Sequence, residues 1–228
     1  KPYVTYAIIA TCVALFGLQF LAPNEPGTNF DTITAGFGMW PVGIALDDQY
    51  YRLLTSVFLH GSVIHIGMNM VFLYMLGPNL EYVLGHVRFA VLYLVSGLGG
   101  AVASFWFSSP NTVSVGASGA IFGLLGAYVV IGKRLNSDVT QVLVVIGINV
   151  AIGFFLGFVD WRAHLGGLLV GAVVALVLAY APAKGRVLIQ VLGVGAIVAL
   201  LLVLVPVRDA QITQQTIAAI TALHGSSG

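Results

Sequence analysis

The sequence predicts an all-α polytopic membrane protein, and three observations carry that reading. Mean hydropathy is +1.00 and only 7% of the 228 residues are charged, where an average soluble domain is roughly a quarter charged. Seven apolar runs, at about 4–22, 54–77, 87–107, 117–132, 139–159, 163–181 and 187–206, are mostly long enough to cross a hydrocarbon core of about 30 Å at about 1.5 Å per residue. They are rich in Leu, Val, Ala and Gly, and none alternates over the roughly ten residues of a membrane barrel strand.

The first run has a secretory signal peptide as its alternative. It is long, only Lys1 precedes it and no small-residue cleavage site follows, so it reads as a true span. Cys12, the single cysteine, lies inside this run, which leaves no intramolecular disulfide and no Cys-based catalysis or metal site. Residues 23–50 form the one long connection. It opens with Pro23-Asn24-Glu25-Pro26-Gly27 and then carries Phe30, Ile33, Phe37, Met39, Trp40 and Ile44. A loop this apolar is expected to lie in the membrane interface, with Trp40, Tyr50 and Tyr51 at headgroup level. The later connections are short: an uncharged one at 108–116, a basic turn at 133–138, and Ala181 to Arg186. Residues 1–182 thus form a core of six spans, 183–206 a seventh, and 207–228 a polar tail expected to be poorly ordered. No fixed-period repeat or inverted symmetry suggests a transporter.

A net charge of +1 gives no reason to expect a nucleic-acid partner. The distribution of charge is more informative. With the N-terminus in the cytoplasm, Lys1, Arg88, Lys133, Arg134, Lys184 and Arg186 fall inside and Arg52, Arg162 and Arg208 outside, a six-to-three split that obeys the positive-inside rule for a multi-pass protein of the plasma membrane. Spans two, four and six then run inward from the outer face.

That orientation sets the depth of the polar residues. Ser118, in Gly116-Ala117-Ser118-Gly119, opens the fourth span, which at 15 residues covers only about 22 Å. Ser118 is therefore expected below the outer surface, with the connection ahead of it dipping into protein or a wet cavity. Two GxxxG patterns, Gly119 with Gly123 and Gly167 with Gly171, allow spans four and six to approach closely. If these glycines pack level, Ser118 and His164 differ in height by about 3 Å, compatible with a hydrogen bond. The plainer alternative is that the motifs only pack helices and Ser118 is a small filler.

Span two bears on that choice. His65 and Asn69 share one helix face, with His60 five residues earlier, and all three converge on the depth of Ser118. An imidazole, an amide and the Ser118 backbone N–H would form an oxyanion hole; interhelical hydrogen bonding is their other use. A metal site on His60, His65 and His164 is disfavoured, because Ile66 follows His65, Asn69 takes the i+4 place and no carboxylate is near in sequence. Asp160, four residues ahead of His164, is expected near the exposed end, so a dyad is expected rather than a triad. Phe122, one turn after Ser118, is placed to face the imidazole or simply to pack.

Taken together these residues resemble the rhomboid family of intramembrane serine proteases. The resemblance runs through Arg52-Leu53-Leu54-Thr55, His60, His65-x-x-x-Asn69, Gly77 to Glu81, Gly116-Ala117-Ser118-Gly119 and Ala163-His164-Leu165-Gly166-Gly167 closing at Gly171. It covers about residues 1–182 in order. It implies a six-helix core with Ser118 as nucleophile, His164 as general base, and His65, Asn69 and the Ser118 amide as oxyanion donors. It implies no cofactor, and substrates that are membrane-anchored proteins cut in or near a transmembrane segment, from a site opening to the outer face. The seventh span resembles the 6+1 arrangement of some members. Three positions depart from the family pattern: Tyr51 where a tryptophan usually precedes Arg52, Ser56 in place of a histidine, and Phe122 where a tyrosine also occurs. An inactive rhomboid-like adaptor or chaperone is the alternative; the presence of Ser118, His164 and Asn69 together argues against it.

Overall fold

A computed structural model describes residues 1–155 and 159–225. All the long elements are helices. Helix α1 (Tyr3–Leu21) is followed by the 23–50 connection, which folds into α2 (Thr32–Phe37) and α3 (Pro41–Asp47). A short α4 (Arg52–Thr55) and a 3₁₀ turn (Ser56–Phe58) lead into α5 (Val63–Leu84), then α6 (His86–Phe107), α7 (Ser118–Arg134), α8 (Thr140–Phe155), α9 (Trp161–Tyr180) and α10 (Arg186–Gly225). Five of these, α1, α5, α6, α9 and α10, are long and apolar enough to cross a membrane, while α8, also apolar, is shorter. Helix α7, at 17 residues, spans roughly 26 Å. The chain is a multi-pass membrane bundle, and its outward Ile64, Tyr82, Leu188, Val191 and Leu192 are exposed as lipid-facing side chains are.

Three boundaries differ from the sequence expectation, among them the end of the second span, which runs to Leu84 rather than 77 with Pro78 inside the helix. The second span begins at Val63 rather than 54, because Arg52–Phe58 coil into the α4 and 3₁₀ turns and the Ser62 hydroxyl caps the new helix by accepting from the His65 N–H at 3.1 Å. The tail beyond 207, expected to be poorly ordered, continues α10 as far as Gly225. Pro206 sits inside this helix without ending it. Past the proline Ile212 is fully buried, Thr213 Oγ1 donates to the Ala45 carbonyl at 3.5 Å, and the Tyr50 hydroxyl donates to Asp209 at 2.7 Å. Docking on α3, invisible to local composition, keeps this turn of chain helical. The Asp209 carboxylate also pushes the Tyr50 phenol above its ordinary pKa, with Asp48 adding to the effect.

Helices α6, α7 and α9 form the centre. Ten of the residues from Gly119 to Ile131 on α7 are buried, as is most of α6. Small residues let these backbones touch: a Cβ on Gly100 would meet the Ala163 carbonyl at 2.8 Å, and one on Gly126 the Leu168 carbonyl at 2.5 Å.

Polar side chains fasten the periphery. Glu81, buried near the end of α5, accepts from Val4 N (2.9 Å), Thr5 N (2.8 Å) and Thr5 Oγ1 (2.6 Å), so one carboxylate holds the unsatisfied amides that open α1. His86 Nδ1 lies 2.5 Å from the same group. At the other end of α5 the 23–50 connection is pinned by Arg52. Its Nη1 donates to Gly38 O at 2.8 Å and its Nε to Gln49 Oε1 at 2.5 Å, with the guanidinium 5.8 Å from the ring centroids of Trp40 and Tyr51.

Replacing Glu81 by Ala strands the Val4 and Thr5 donors in a buried site, where each lost acceptor costs about 1–3 kcal/mol. The expected outcome is a fall in the thermal midpoint of several degrees, with Glu81→Gln, which keeps an acceptor oxygen, losing clearly less. Equal midpoints for Glu81→Ala and the parent chain would show that the carboxylate does not hold α1.

Candidate active site

The nucleophile candidate is delivered by a short extended segment. Ser114 pairs with Met39 in both directions (Met39 N to Ser114 O 3.0 Å, Ser114 N to Met39 O 2.9 Å), and Gly116 N donates to Ser56 O at 2.9 Å. The connection ahead of α7 is thus satisfied by the 23–50 loop and the 3₁₀ turn, as backbone at membrane depth requires. Ser118 is the first residue of α7. Its N–H belongs to the four amides that a helix leaves without an intrahelical partner, at the end where the helix dipole favours negative charge.

Gly116 links this segment to α5. Its φ is +138°, a conformation that side chains rarely adopt. A Cβ there would lie 2.8 Å from both Cε1 and Nε2 of His65 and 3.6 Å from Ser118 Oγ. The His65 ring and the Ser118 hydroxyl therefore flank one spot. His65 Nδ1 accepts from the Gly61 N–H at 3.3 Å, which turns Nε2 toward Gly116. Asn69 is buried one turn on, and its Nδ2 donates to the His65 carbonyl at 2.9 Å, leaving the amide a second N–H. His60 is buried with its ring centroid 5.2 Å from that of His65, while its backbone N–H and carbonyl are both bonded to the Gln19 side chain.

His164 arrives from α9. The two GxxxG patterns pack level and parallel, as expected: a Cβ on Gly167 would overlap the Gly119 carbonyl, and one on Gly171 would overlap the Gly123 backbone. A Cβ on Gly119 would meet the Ala163 carbonyl at 3.3 Å, so the residue after Ser118 touches the residue before His164. The His164 ring stacks on Phe122, centroids 4.1 Å apart and planes 13° from parallel. His164 is 8% exposed, and its Nδ1 has no hydrogen-bond partner among the described residues. Stacking and burial, not a carboxylate, orient this imidazole. Among the described residues no three His, Cys, Asp or Glu groups come close enough to share a metal ion.

Of the residues singled out in the sequence, Gly116, Ser118, Gly119, Phe122, His60, His65, Asn69, His164 and Gly167 lie toward one end of the bundle, and Gly171 sits at the middle of α9 against Gly123. Gln19, Ser104 and Ser114 were not singled out. Gln19 could have been found as the lone amide inside the first apolar run; the two serines carry no such signal. A cavity of about 220 Å³ beside Glu81 and His86 lies at the far end of α5, away from Ser118.

Comparison with known proteins matches the rhomboid domain over residues 47–181, more than half of the chain. The chain belongs to the rhomboid family. It is 39% identical over 199 residues to Rhomboid protease GluP of Bacillus subtilis (strain 168), covering 84% of this chain and 38% of that protein. It is 40% identical over 146 residues to RHOMBOID-like protein 4 of Arabidopsis thaliana, 60% of this chain and 36% of that one. Identity to Rhomboid-type serine protease 2 of Emericella nidulans is 33% over 182 residues, 72% and 36% of the two chains. The chain spans between a third and two fifths of the length of these three relatives.

The glycine contacts give the site a sharp requirement. Gly171→Leu would drive a branched side chain into the Gly123 backbone, and separation of α7 from α9 is the expected result. The variant should unfold at lower temperature and lose reactivity of Ser118 toward a serine-directed fluorophosphonate. Gly147→Leu, at a position with open space, should do neither.

Proposed function

We propose that this rhomboid family member is an intramembrane serine endopeptidase, acting through a Ser118–His164 dyad on peptide bonds in or near the transmembrane segments of membrane-anchored proteins. The observation that carries the reading is the backbone contact between Gly119 and Ala163, which seats the serine and the histidine at one level with the His65 ring beside the serine hydroxyl. The names of the relatives from Bacillus subtilis and Emericella nidulans, a rhomboid protease and a rhomboid-type serine protease, support the same activity.

The chemistry follows from the groups. Ser118 Oγ attacks the scissile carbonyl carbon while its proton passes to His164, and the carbonyl oxygen takes up negative charge. The Ser118 N–H at the α7 N-terminus, the His65 ring and the free N–H of Asn69 are the donors for that charge; removing one such donor costs about 10²–10³ in rate. His164 then gives its proton to the leaving amine as the C–N bond breaks, and water, activated by the same imidazole, hydrolyses the acyl ester and restores the serine. The six-to-three distribution of Lys and Arg supports a plasma-membrane protein with a cytoplasmic N-terminus and a site facing the outer side. The transmembrane segment of the substrate reaches the site from the bilayer.

The test is cleavage of a model single-span substrate in detergent or liposomes by the full chain. Ser118→Ala and His164→Ala should each reduce the rate to below about a thousandth, with helical content and thermal midpoint preserved. A fluorophosphonate should label Ser118 in the parent chain and leave the His164→Ala chain unlabelled. Cleavage at the parent rate by either variant would sink the dyad. A folded parent chain that neither cleaves nor labels would mark an adaptor instead.

A further inference from the structure

We propose that Asp160 is a positioning residue for the Ser118–His164 pair: one carboxylate sets the register between the segment that delivers the serine and the helix that delivers the histidine. The inference rests on the dyad reading above and adds to it a residue outside the reacting atoms.

Three elements meet at this carboxylate. Ser114, on the extended segment four residues ahead of Ser118, donates its hydroxyl to Asp160 Oδ2 at 2.7 Å. Ser104, near the end of α6, donates to the same oxygen and lies 3.2 Å from the Ser108 hydroxyl, so the last turn of α6 is drawn in as well. Oδ1 accepts from the Ala163 N–H at 3.3 Å, which makes Asp160 the N-cap of α9. The Asp160 main-chain carbonyl accepts from the His164 N–H at 3.2 Å. Side chain and main chain of one residue thus hold Ala163 and His164 on one side and Ser114 on the other, across 46 residues of sequence.

A carboxylate suits the place because its two oxygens offer about four acceptor directions and every group that reaches it carries a donor. Its own partners are two serine hydroxyls and a backbone amide, and His164 Nδ1 is unpartnered among the described residues. Asp160 is therefore not the third member of a triad. It acts through the backbone that carries the pair. The glycine contacts set how closely α7 and α9 approach, but they leave the 108–116 connection to the Met39 pairing, the Val42–Pro110 and Ser56–Gly116 bonds and this carboxylate. Misplacement of a reacting group by about 1 Å can cost about 10²-fold in rate.

The experiment compares the full chain with Asp160→Ala, Asp160→Asn, Ser114→Ala and the Asp160→Ala/Ser114→Ala pair in detergent. Readouts are kcat and KM on a single-span substrate, the rate of fluorophosphonate adduct formation per folded molecule, and the thermal midpoint. Asp160→Ala should lower kcat and the adduct rate about 30- to 100-fold, with KM within about threefold. Asparagine caps helices as well as aspartate and keeps an acceptor oxygen, so Asp160→Asn should recover activity to within about fivefold of the parent. Ser114→Ala should lose part of the rate, and adding it to Asp160→Ala should cost little more, since both break one link. The proposal is overturned by a parent-like kcat in Asp160→Ala. It is equally overturned if the lost activity matches only the unfolded fraction, or if Asn proves as inactive as Ala. Ser118→Ala run alongside separates the two readings: cleavage at the parent rate there removes the dyad itself, whatever Asp160 does.

Discussion

The approach of α7 to α9 through facing glycines is the constraint on which the other features depend. Within a bilayer, helices gain little from hiding apolar surface, because lipid tails are as apolar as leucine; close van der Waals contact between backbones has to supply the association. Gly119 and Gly123 meeting Gly167 and Gly171 is that contact, and Gly100 and Gly126 extend it to α6 and along α7. The same contact fixes relative height. Since Gly119 touches the carbonyl of Ala163, the side chains on either side of that point, Ser118 and His164, have one relative height available to them. A looser interface of leucines would hold the helices together but leave that height adjustable.

Polar groups then divide the remaining work with a consistent logic. Glu81, Arg52 and Asp160 each sit where a backbone has run out of partners: the opening amides of α1, the carbonyls of the 23–50 connection, and the start of α9. Glu81 and Asp160 are each bonded to two groups from distant sequence, and Arg52 joins Gly38, 14 residues back, to its neighbour Gln49. An exposed ion pair would contribute little, but a side chain that holds several donors or acceptors away from water is expensive to remove. Rigidity is therefore concentrated at the ends of helices, while the lipid-facing surfaces of α1, α5 and α10 carry none of it.

Most of the bundle, and the grouping of the candidate residues on neighbouring helices, was legible in sequence, for reasons that can be located. Apolar runs are long and interrupted by few charges, so α1, α6, α7 and α9 fall within two or three residues of expectation. Ser118, His164 and the glycines stand out because small and polar residues in a span need a cause. The second span shifted because Arg52–Phe58 is apolar enough to continue a span, yet its turns are set by contacts with residues 36–49 that no local pattern encodes. The end of α10 was missed in the same way, since only α3, far away in sequence, explains why Ile212 is buried. Asp160 was visible as a residue but not as a hub, because its partners are serines 46 and 56 residues away.

A membrane bundle that holds irregular backbone beside polar side chains must reconcile it with a medium that offers no hydrogen bonds. Helix α7, at 17 residues, is shorter than the bilayer core by roughly 4 Å. The extended segment ahead of it occupies the difference, and its amides and carbonyls would be ruinous in lipid. They are instead bonded to Met39 and Ser56, so the 23–50 connection is structural support for the segment that leads to Ser118. Helix α10 reaches that same connection through Ala45 and Tyr50, which ties the last helix to the loop that pairs with the segment ahead of Ser118. The chain thus surrounds a dipping, polar backbone with elements drawn from its first quarter, its middle and its end. A site of this kind is assembled only when all of them have docked.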